Sequence, residues 1–417
     1  MKRSRMTAAV AVSALVTGVW LTTGAPPSGA ATVTPCGNTV TALSLVSTKH
    51  FASGGKDKQF RATIDFPGRT GWYDQTGTAL LGVYPAGSLP TLINPSIGDR
   101  STIGTLVKAQ YPTALAAIDG DFFVTKTIRG KSVELSRGPM IRGGVILRGD
   151  KRQTRVVGVD STGQPFAGTV GVRGSMSIGL GPKTSLAAVN WQSVQAGGFT
   201  LYTPQWSHSS ASPRPAGVGE WVLNGRNEIL EVRTSTVNPT KRGAVVQAKT
   251  KVLAFPSTLE SVAAAGVVGQ KVSLHVSQST SSGVKLSTAI GRGQTLVKRG
   301  VAAPLGCAAY DHSAAARPRT IIGWTGSGVW RTLTVPGTDI SGVSRTGGLG
   351  LANTAALAKK LGFRFAYEID GGASTTWYTR STAGVWTRRD LVGVSGGTYE
   401  RPVSNGLAFL TPPPAVP

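Results

Sequence analysis

The chain has 417 residues, with 44 Lys and Arg against 19 Asp and Glu for a formal charge of +25, and 55 glycines. Its length allows a large core and up to two domains. A composition rich in glycine, valine and threonine, without long charged helical runs, argues against a helical bundle and for many short strands joined by tight turns.

Lys2, Arg3 and Arg5 precede an apolar stretch from Met6 to Leu21, and Ser28-Gly29-Ala30 offers a small-residue cleavage site. Residues 1–31 are therefore expected to be a secretory signal peptide. The apolar stretch is short and Pro26-Pro27 would break a spanning helix, so no membrane anchor is expected after cleavage. Losing this segment removes three basic residues and no acids, which leaves +22. The expected location is secreted, extracellular or associated with a cell wall. There a basic protein concentrates polyanions such as wall phosphate polymers. Solubility or loose wall adhesion would explain the charge equally well. The basic residues are scattered and carry no nucleic-acid motif, so no specific nucleic-acid partner is expected. Cys36 and Cys307, an even count in an oxidising compartment, are expected to form a disulfide; two free buried thiols are the alternative.

Residues 32–95 read as a leader region packed on the main domain, with strands over Gln59 to Phe66 and Leu80 to Tyr84. The main domain is placed at 96–411, and 412–417 is a proline-rich tail expected to be disordered. Within the domain a helix is predicted over Thr102 to Tyr111, followed by the apolar run Thr113 to Ile118 and the turn Asp119-Gly120-Asp121-Phe122-Phe123. Strands are predicted at Lys131 to Leu135, Gly144 to Leu147, Trp221 to Leu223, Lys271 to Val276, Thr320 to Trp324, Trp330 to Val335 and Asn405 to Leu410. Helices are predicted at Ser257 to Ala265 and Leu349 to Leu361, the latter stopped by Gly362. His208 to Pro215 and Ser277 to Gly283 read as exposed loops. The fold class is α+β, a mixed β-sheet core with few helices.

The segment from Phe363 to Trp377 carries the most chemistry. In a period-2 strand Phe363, Phe365, Tyr367 and Ile369 share one face, while Arg364, Ala366, Glu368 and Asp370 share the other, so both acids point the same way. Gly371-Gly372 then lets backbone approach a ligand, and Ser374, Thr375 and Thr376 add hydroxyls. Asp119 and Asp121 repeat the design. Two helix-to-strand units ending in acidic, glycine-bearing turns suggest one cleft, whereas either turn alone would read as an ordinary surface turn. Arg319 and Arg401 stand at strand entrances, where a guanidinium can grip phosphate or make a structural ion pair. His50, His208, His275 and His312 are isolated and the cysteines distant, so no zinc site is expected. No histidine is placed as the base of a serine triad. No cofactor is expected, although Asp119, Asp121 and Asp370 offer oxygens that would suit magnesium or calcium.

Four motifs in order resemble the phosphodiester glycosidase family: Ile118-Asp119-Gly120-Asp121-Phe122-Phe123, Pro318-Arg319-Thr320-Ile321-Ile322-Gly323, Glu368-Ile369-Asp370-Gly371-Gly372-Ala373-Ser374 and Arg401-Pro402-Val403-Ser404-Asn405. Gly291 to Val297 resembles a weaker stretch of the same family. The resemblance implies hydrolysis of the glycosidic bond of a sugar-1-phosphate diester, the substrate being a glycosyl phosphodiester or an anionic wall polymer. Asp370 is then the first candidate to activate water or attack, and Asp121 the second. Arg319 and Arg401 would hold phosphate, with Thr320, Gly371, Gly372, Ser374 and Asn405 binding substrate. Asp119 and Glu368 stand where the family usually has asparagine, so each adds an acid to the expected cleft and a further candidate acid. A metal-dependent phosphodiesterase and a wall-binding protein without turnover are the alternatives. The sugar, the retaining or inverting course and the oligomeric state are left open.

Overall fold

The computed structural model describes residues 77–412 apart from 129, 208–217, 239–242, 244–245, 304–315, 338, 342–343 and 392–397. It also describes the backbone of strands Thr32–Val33, Thr39–Val40, Ser44–Ala52 and Lys58–Asp65. The expected signal peptide, Cys36 and Cys307 with their expected disulfide, the loop from His208 to Pro215 and most of the C-terminal tail lie outside the described residues.

Alternating apolar side chains build three large sheets. An eight-stranded sheet runs Val301–Ala302, Thr295–Lys298, Phe365–Gly371, Arg319–Trp324, Trp330–Val335, Gly77–Val83, Lys58–Asp65 and Ser44–Ala52. A five-stranded sheet runs Trp386–Arg388, Trp377–Arg380, Ala116–Asp119, Gly406–Leu410 and Leu89–Ile93. The third has eleven strands and includes the parallel pair Thr184–Val189 and Phe199–Tyr202, so the β structure is mixed. The expected α+β class, strand-dominated with few helices, is the fold observed.

One core joins all three sheets. Ile118, Trp377, Leu407 and Phe409 of the five-stranded sheet pack with Ile322, Trp324, Tyr367 and Ile369 of the eight-stranded sheet and with Val157, Val159 and Ile290 of the eleven-stranded one. Each fully buried aliphatic chain contributes about 1.5–3 kcal/mol, so this shared core fixes how the sheets meet.

Three two-stranded sheets, one of them Phe123–Ile128 with Lys131–Ser136, and helices α1 (Ile103–Gln110), α2 (Glu260–Ala263) and α3 (Leu351–Lys360) accompany the large sheets. The Thr102 hydroxyl accepts the Thr105 N–H and caps α1, which lays Ile103 and Val107 on Ile93, Ala117 and Ala408. Leu351 and Leu357 of α3 cover Leu296, Ile321 and Leu333 on the outer face of the eight-stranded sheet. Gly362, at φ +79°, ends α3: its N–H reaches Lys359 O and the Phe363 N–H reaches Ala358 O, the two bonds of a Schellman stop. The chain therefore turns straight into the Phe365–Gly371 strand.

Two expectations need correction. The predicted helix over Ser257 to Ala265 is a 3₁₀ turn, Ser257–Leu259, followed by the short α2. Only Ala263 of α2 is buried, too small an apolar face to sustain a longer helix. Ser277 to Gly283 is not a loop throughout: the strand Val272–Thr280 runs through its first four residues, held by a nine-pair register against Pro165–Ile178. Continuous backbone pairing overrides the polar composition there. In the leader region, Lys58–Asp65 pairs with Gly77–Val83, which in turn pairs with Trp330–Val335, while Leu89–Ile93 sits in the five-stranded sheet.

Candidate active site

The two acidic turns meet where the five- and eight-stranded sheets adjoin. The Asp370 N–H donates to Gly120 O at 2.8 Å, which ties the end of Phe365–Gly371 to the turn after Ala116–Asp119. The strand is not regular to its end. Arg319 pairs with Gly371 and Ile321 with Glu368, so Ile369 and Asp370 together oppose Thr320 in a β-bulge. The expected common face of Glu368 and Asp370 is therefore broken between them. The bulge keeps Ile369 in the core and re-aims Asp370, and both acids still line one cavity of about 460 Å³.

Asp121 lines the same cavity. Its Oδ2 accepts the Ser136 hydroxyl and, at 2.6 Å, the Gly138 N–H. Its own N–H donates to Asn405 Oδ1 at 2.8 Å. A Cβ on Gly120 would sit 2.1 Å from that same Asn405 oxygen, so only glycine lets Asn405 reach in. Burial raises the Asp121 carboxyl to about 6, against the pull of Ser136, Gly138 and the Arg148 and Arg137 charges. Burial likewise raises Asp370 to about 6, opposed by Ser374, the Gly371 N–H and Arg401 and reinforced by Asp121. Two interacting carboxyls near 6 titrate as a pair and are suited to act as acid and base at a pH near that value.

Asp119 does not do what the sequence suggested. It is fully buried behind the cavity and does not line it. Oδ1 accepts the Thr320 hydroxyl at 2.8 Å and the Thr376 N–H at 3.0 Å, while Oδ2 has no partner. Burial, then the charge of Asp370, raises its pKa well above the ordinary 3.8, which favours the neutral carboxyl, against the pull of the Thr376 N–H and the Thr320 hydroxyl. The unfolded chain loses that proton near the ordinary value. Stability contributed by Asp119 is therefore complete below it and falls as pH climbs toward the raised folded value. Asp119→Asn is expected to match the parent in thermal unfolding at pH 4 and to exceed it by about 1–3 kcal/mol at pH 8. A variant less stable than the parent at pH 8 would overturn the raised pKa.

Glu368 is also redirected. It pairs with Arg319, Oε1 to Nη1 at 2.9 Å, and both side chains are buried; Arg319 Nε donates to Leu349 O. Arg319 thus makes the structural ion pair that was one of the two roles its sequence position left open, and it still lines the cavity. Burial raises Glu368 while Arg319 holds it down, and Asp119 has Asp370 as its acidic neighbour, with Glu368 absent from that contact. Thr320 gives its hydroxyl to Asp119 and Asn405 holds the Asp121 backbone, so these two position acids and do not face the cavity. Gly371 and Gly372 line the cavity, and Ser374 is buried beside Asp370.

Arg401 also lines it, stacked 4.9 Å over the Phe123 ring and acting on Asp370. Sequence reasoning missed Arg137, Arg155, Arg292 and Arg317, which join Arg319 and Arg401 around the cavity. Arg292 donates to Val156 O and Gly293 O and lies 4.4 Å over Tyr367. The glycine-flanked Arg292 and the Arg317-Pro318-Arg319 pair were legible hints. Among the described residues no three His, Cys, Asp or Glu side chains are grouped to hold a metal ion.

The fold and this site define a strand-built protein whose sheets present acids and arginines to one cavity. The model of the phosphodiester glycosidase family matches residues 220–410, and the family resemblance is shown over that stretch. It includes Arg319, Glu368, Asp370 and Arg401; Asp121, which lines the cavity, and Asp119, buried behind it, precede that stretch. No curated protein matches the chain. Among solved structures, a hypothetical protein from Synechocystis is 16% identical over 85% of this chain and 62% of its own, with a TM-score of 0.62. This chain thus spans less than two thirds of that protein. A Burkholderia pseudomallei protein whose name describes it as exported is 14% identical over 92% and 99%, with a TM-score of 0.63. These two share the fold. The zebrafish N-acetylglucosamine-1-phosphodiester α-N-acetylglucosaminidase catalytic domain is 13% identical over 89% of both chains, with a TM-score of 0.44.

Proposed function

We propose that this protein hydrolyses the glycosidic bond of a sugar-1-phosphate diester outside the cytoplasm. The observation that carries the reading is that Asp121 and Asp370, each raised to about 6, line one cavity with Arg401. The family match over 220–410 supports the same chemistry. An N-terminal segment with the features of a signal peptide and a basic chain favour an exported setting.

In the proposed step Asp370 takes a proton from water as its oxygen attacks the anomeric carbon. The bond from that carbon to the phosphate oxygen breaks, and its electrons leave with a phosphomonoester. Arg401 holds the charge that gathers on the leaving phosphate, which needs little protonation because it is already a good leaving group. Protonated Asp121 donates a hydrogen bond to the departing oxygen or to a sugar hydroxyl.

Hydrolysis in ¹⁸O-labelled water tests this directly. Label in the sugar is expected; label in the phosphate would reject a glycosidase and favour cleavage of the P–O bond. The pH dependence is a second check. Asp370 must be ionised and Asp121 protonated, so kcat/KM is expected to follow a narrow bell with its apex near 6, set by the pair together. Asp121→Asn removes the group whose ionisation ends activity, and the alkaline limb of the profile should disappear.

A further inference from the structure

We propose that Ser136 and Arg148 are positioning residues for Asp121, fixing its Oδ2 through a chain of hydrogen bonds that runs back into the eleven-stranded sheet. This rests on the glycosidase reading above, in which Asp121 is the acid, and deepens it.

The hairpin of Phe123–Ile128 and Lys131–Ser136 sets Ser136 opposite Phe123, and the Arg137 N–H donates to Phe122 O at 2.7 Å. The segment from Ser136 to Gly138 therefore lies along the acidic turn. The Ser136 hydroxyl and the Gly138 N–H both donate to Asp121 Oδ2. Gly291 packs its backbone against the whole carboxyl: a Cβ there would lie 2.5 Å from Oδ2 and 2.6 Å from Cγ and Oδ1. An oxygen that already accepts two donors is a poor seat for a proton, so the proton of neutral Asp121 is carried on Oδ1.

Arg148 stands behind Ser136. Its strand, Val145–Asp150, belongs to the eleven-stranded sheet, and its Nε donates to Ser136 O at 3.0 Å. Nη1 donates to Asn190 O at 2.6 Å and Nη2 to Gln192 Oε1, and the guanidinium lies 4.2 Å over the Trp191 ring. Among the described residues Arg148 and Arg319 are the buried arginines. Arg319 has Glu368 in contact, whereas Arg148 gives its hydrogen bonds to carbonyl and amide oxygens and forms no ion pair among the described residues. A guanidinium buried without a counter-ion in contact is costly, and carbonyl oxygens alone do not require its charge. Against burial, Asp121 comes first among the groups that keep Arg148 charged, before Tyr202 and Asp150. In return, burial favours the neutral Asp121, while Ser136, Gly138, Arg148 and Arg137 favour its carboxylate; Asp370, on the Phe365–Gly371 strand, is the acid coupled to it. The fixed donors and the charge behind them thus set how readily this acid parts with its proton.

Carbon-13 NMR titration of the Asp121 carboxyl tests this in the full chain carrying Asp370→Asn, where Asp121 titrates without its coupled partner. The resonance is the one that Asp121→Asn removes. Ser136→Ala takes one hydroxyl from a small side chain, and Asp121 is then expected to titrate at a pH about one unit higher, a tenfold change in its ionisation. Arg148→Gln should move the midpoint in the same direction, and Arg148→Lys, which keeps the charge, should return it at least halfway to the parent value. With Asp370 intact, Ser136→Ala should carry the alkaline limb of kcat/KM upward by the same interval. A merely structural Arg148 would lower the Tm of both its variants and leave the midpoint in place. That result, or an unmoved midpoint in Ser136→Ala, overturns the proposal; should the Arg148 variants not fold, Ser136→Ala decides alone. A parent that turns over no sugar-1-phosphodiester while the midpoint moves as expected ends the glycosidase reading and leaves the positioning. An active parent with an unmoved midpoint does the reverse.

Discussion

Asp370→Asn is expected to lower kcat by about 10²–10⁴-fold on an aryl sugar-1-phosphodiester, the usual worth of a positioned acid–base group. Its KM should change far less. The amide keeps the shape of the side chain and an oxygen to accept the Gly371 N–H, which the Asp370 Oδ1 now takes at 2.9 Å. It also removes an acid held near 6, so the folded protein should be no less stable above that pH. The measurement is steady-state kinetics beside thermal unfolding. A variant that folds normally and retains most of its kcat would remove Asp370 from the chemistry and pass the role to Asp121. A variant as inactive as a parent that never turned over, yet still binding the polymer, would favour a wall-binding protein.

Glu368→Gln is expected to cost about 3–5 kcal/mol, because it strands a buried guanidinium without its counter-ion. Arg319 also gives its Nε to Leu349 O, and both partners of the pair are less than 8% exposed. The loss should appear as a lower Tm. Added inorganic phosphate should partly restore it, since Arg319 lines the cavity and an anion could take the place of the carboxylate. The same phosphate should change the Tm of the parent much less. A variant as stable as the parent without phosphate would show that the pair contributes little. A loss that phosphate leaves untouched would show that Arg319 stays closed to ligands even when unpaired. The comparison thus tests whether Glu368 keeps Arg319 from binding an anion in the cavity.

Much of the site was legible in one dimension. The Asp119-to-Phe123 and Glu368-to-Ser374 motifs, each following a helix, located the two turns that meet at the cavity, and Gly362 marked the end of α3. Alternating apolar residues gave the strands Arg319–Trp324 and Trp330–Val335 to within a residue. What failed was the assignment of partners. Arg319 and Glu368 are 49 positions apart, and nothing in either motif says that their side chains close on each other. Asp119 and Asp121 are two residues apart and looked equivalent, yet one is sealed behind the cavity and the other faces it.

Local sequence therefore determined which segments are strands, where the glycines allow close approach and which motifs carry acids, because backbone propensity and side-chain periodicity act over a few residues. Tertiary structure alone decided which charges pair with each other and which line the cavity. The bulge at Ile369 and Asp370 depends on its partner strand, the raised pKa of Asp119 on burial between sheets, and the arginine-lined cavity on segments up to 264 positions apart. Electrostatic energies are set by distance and desolvation in the folded protein, and neither quantity is written in the order of the residues.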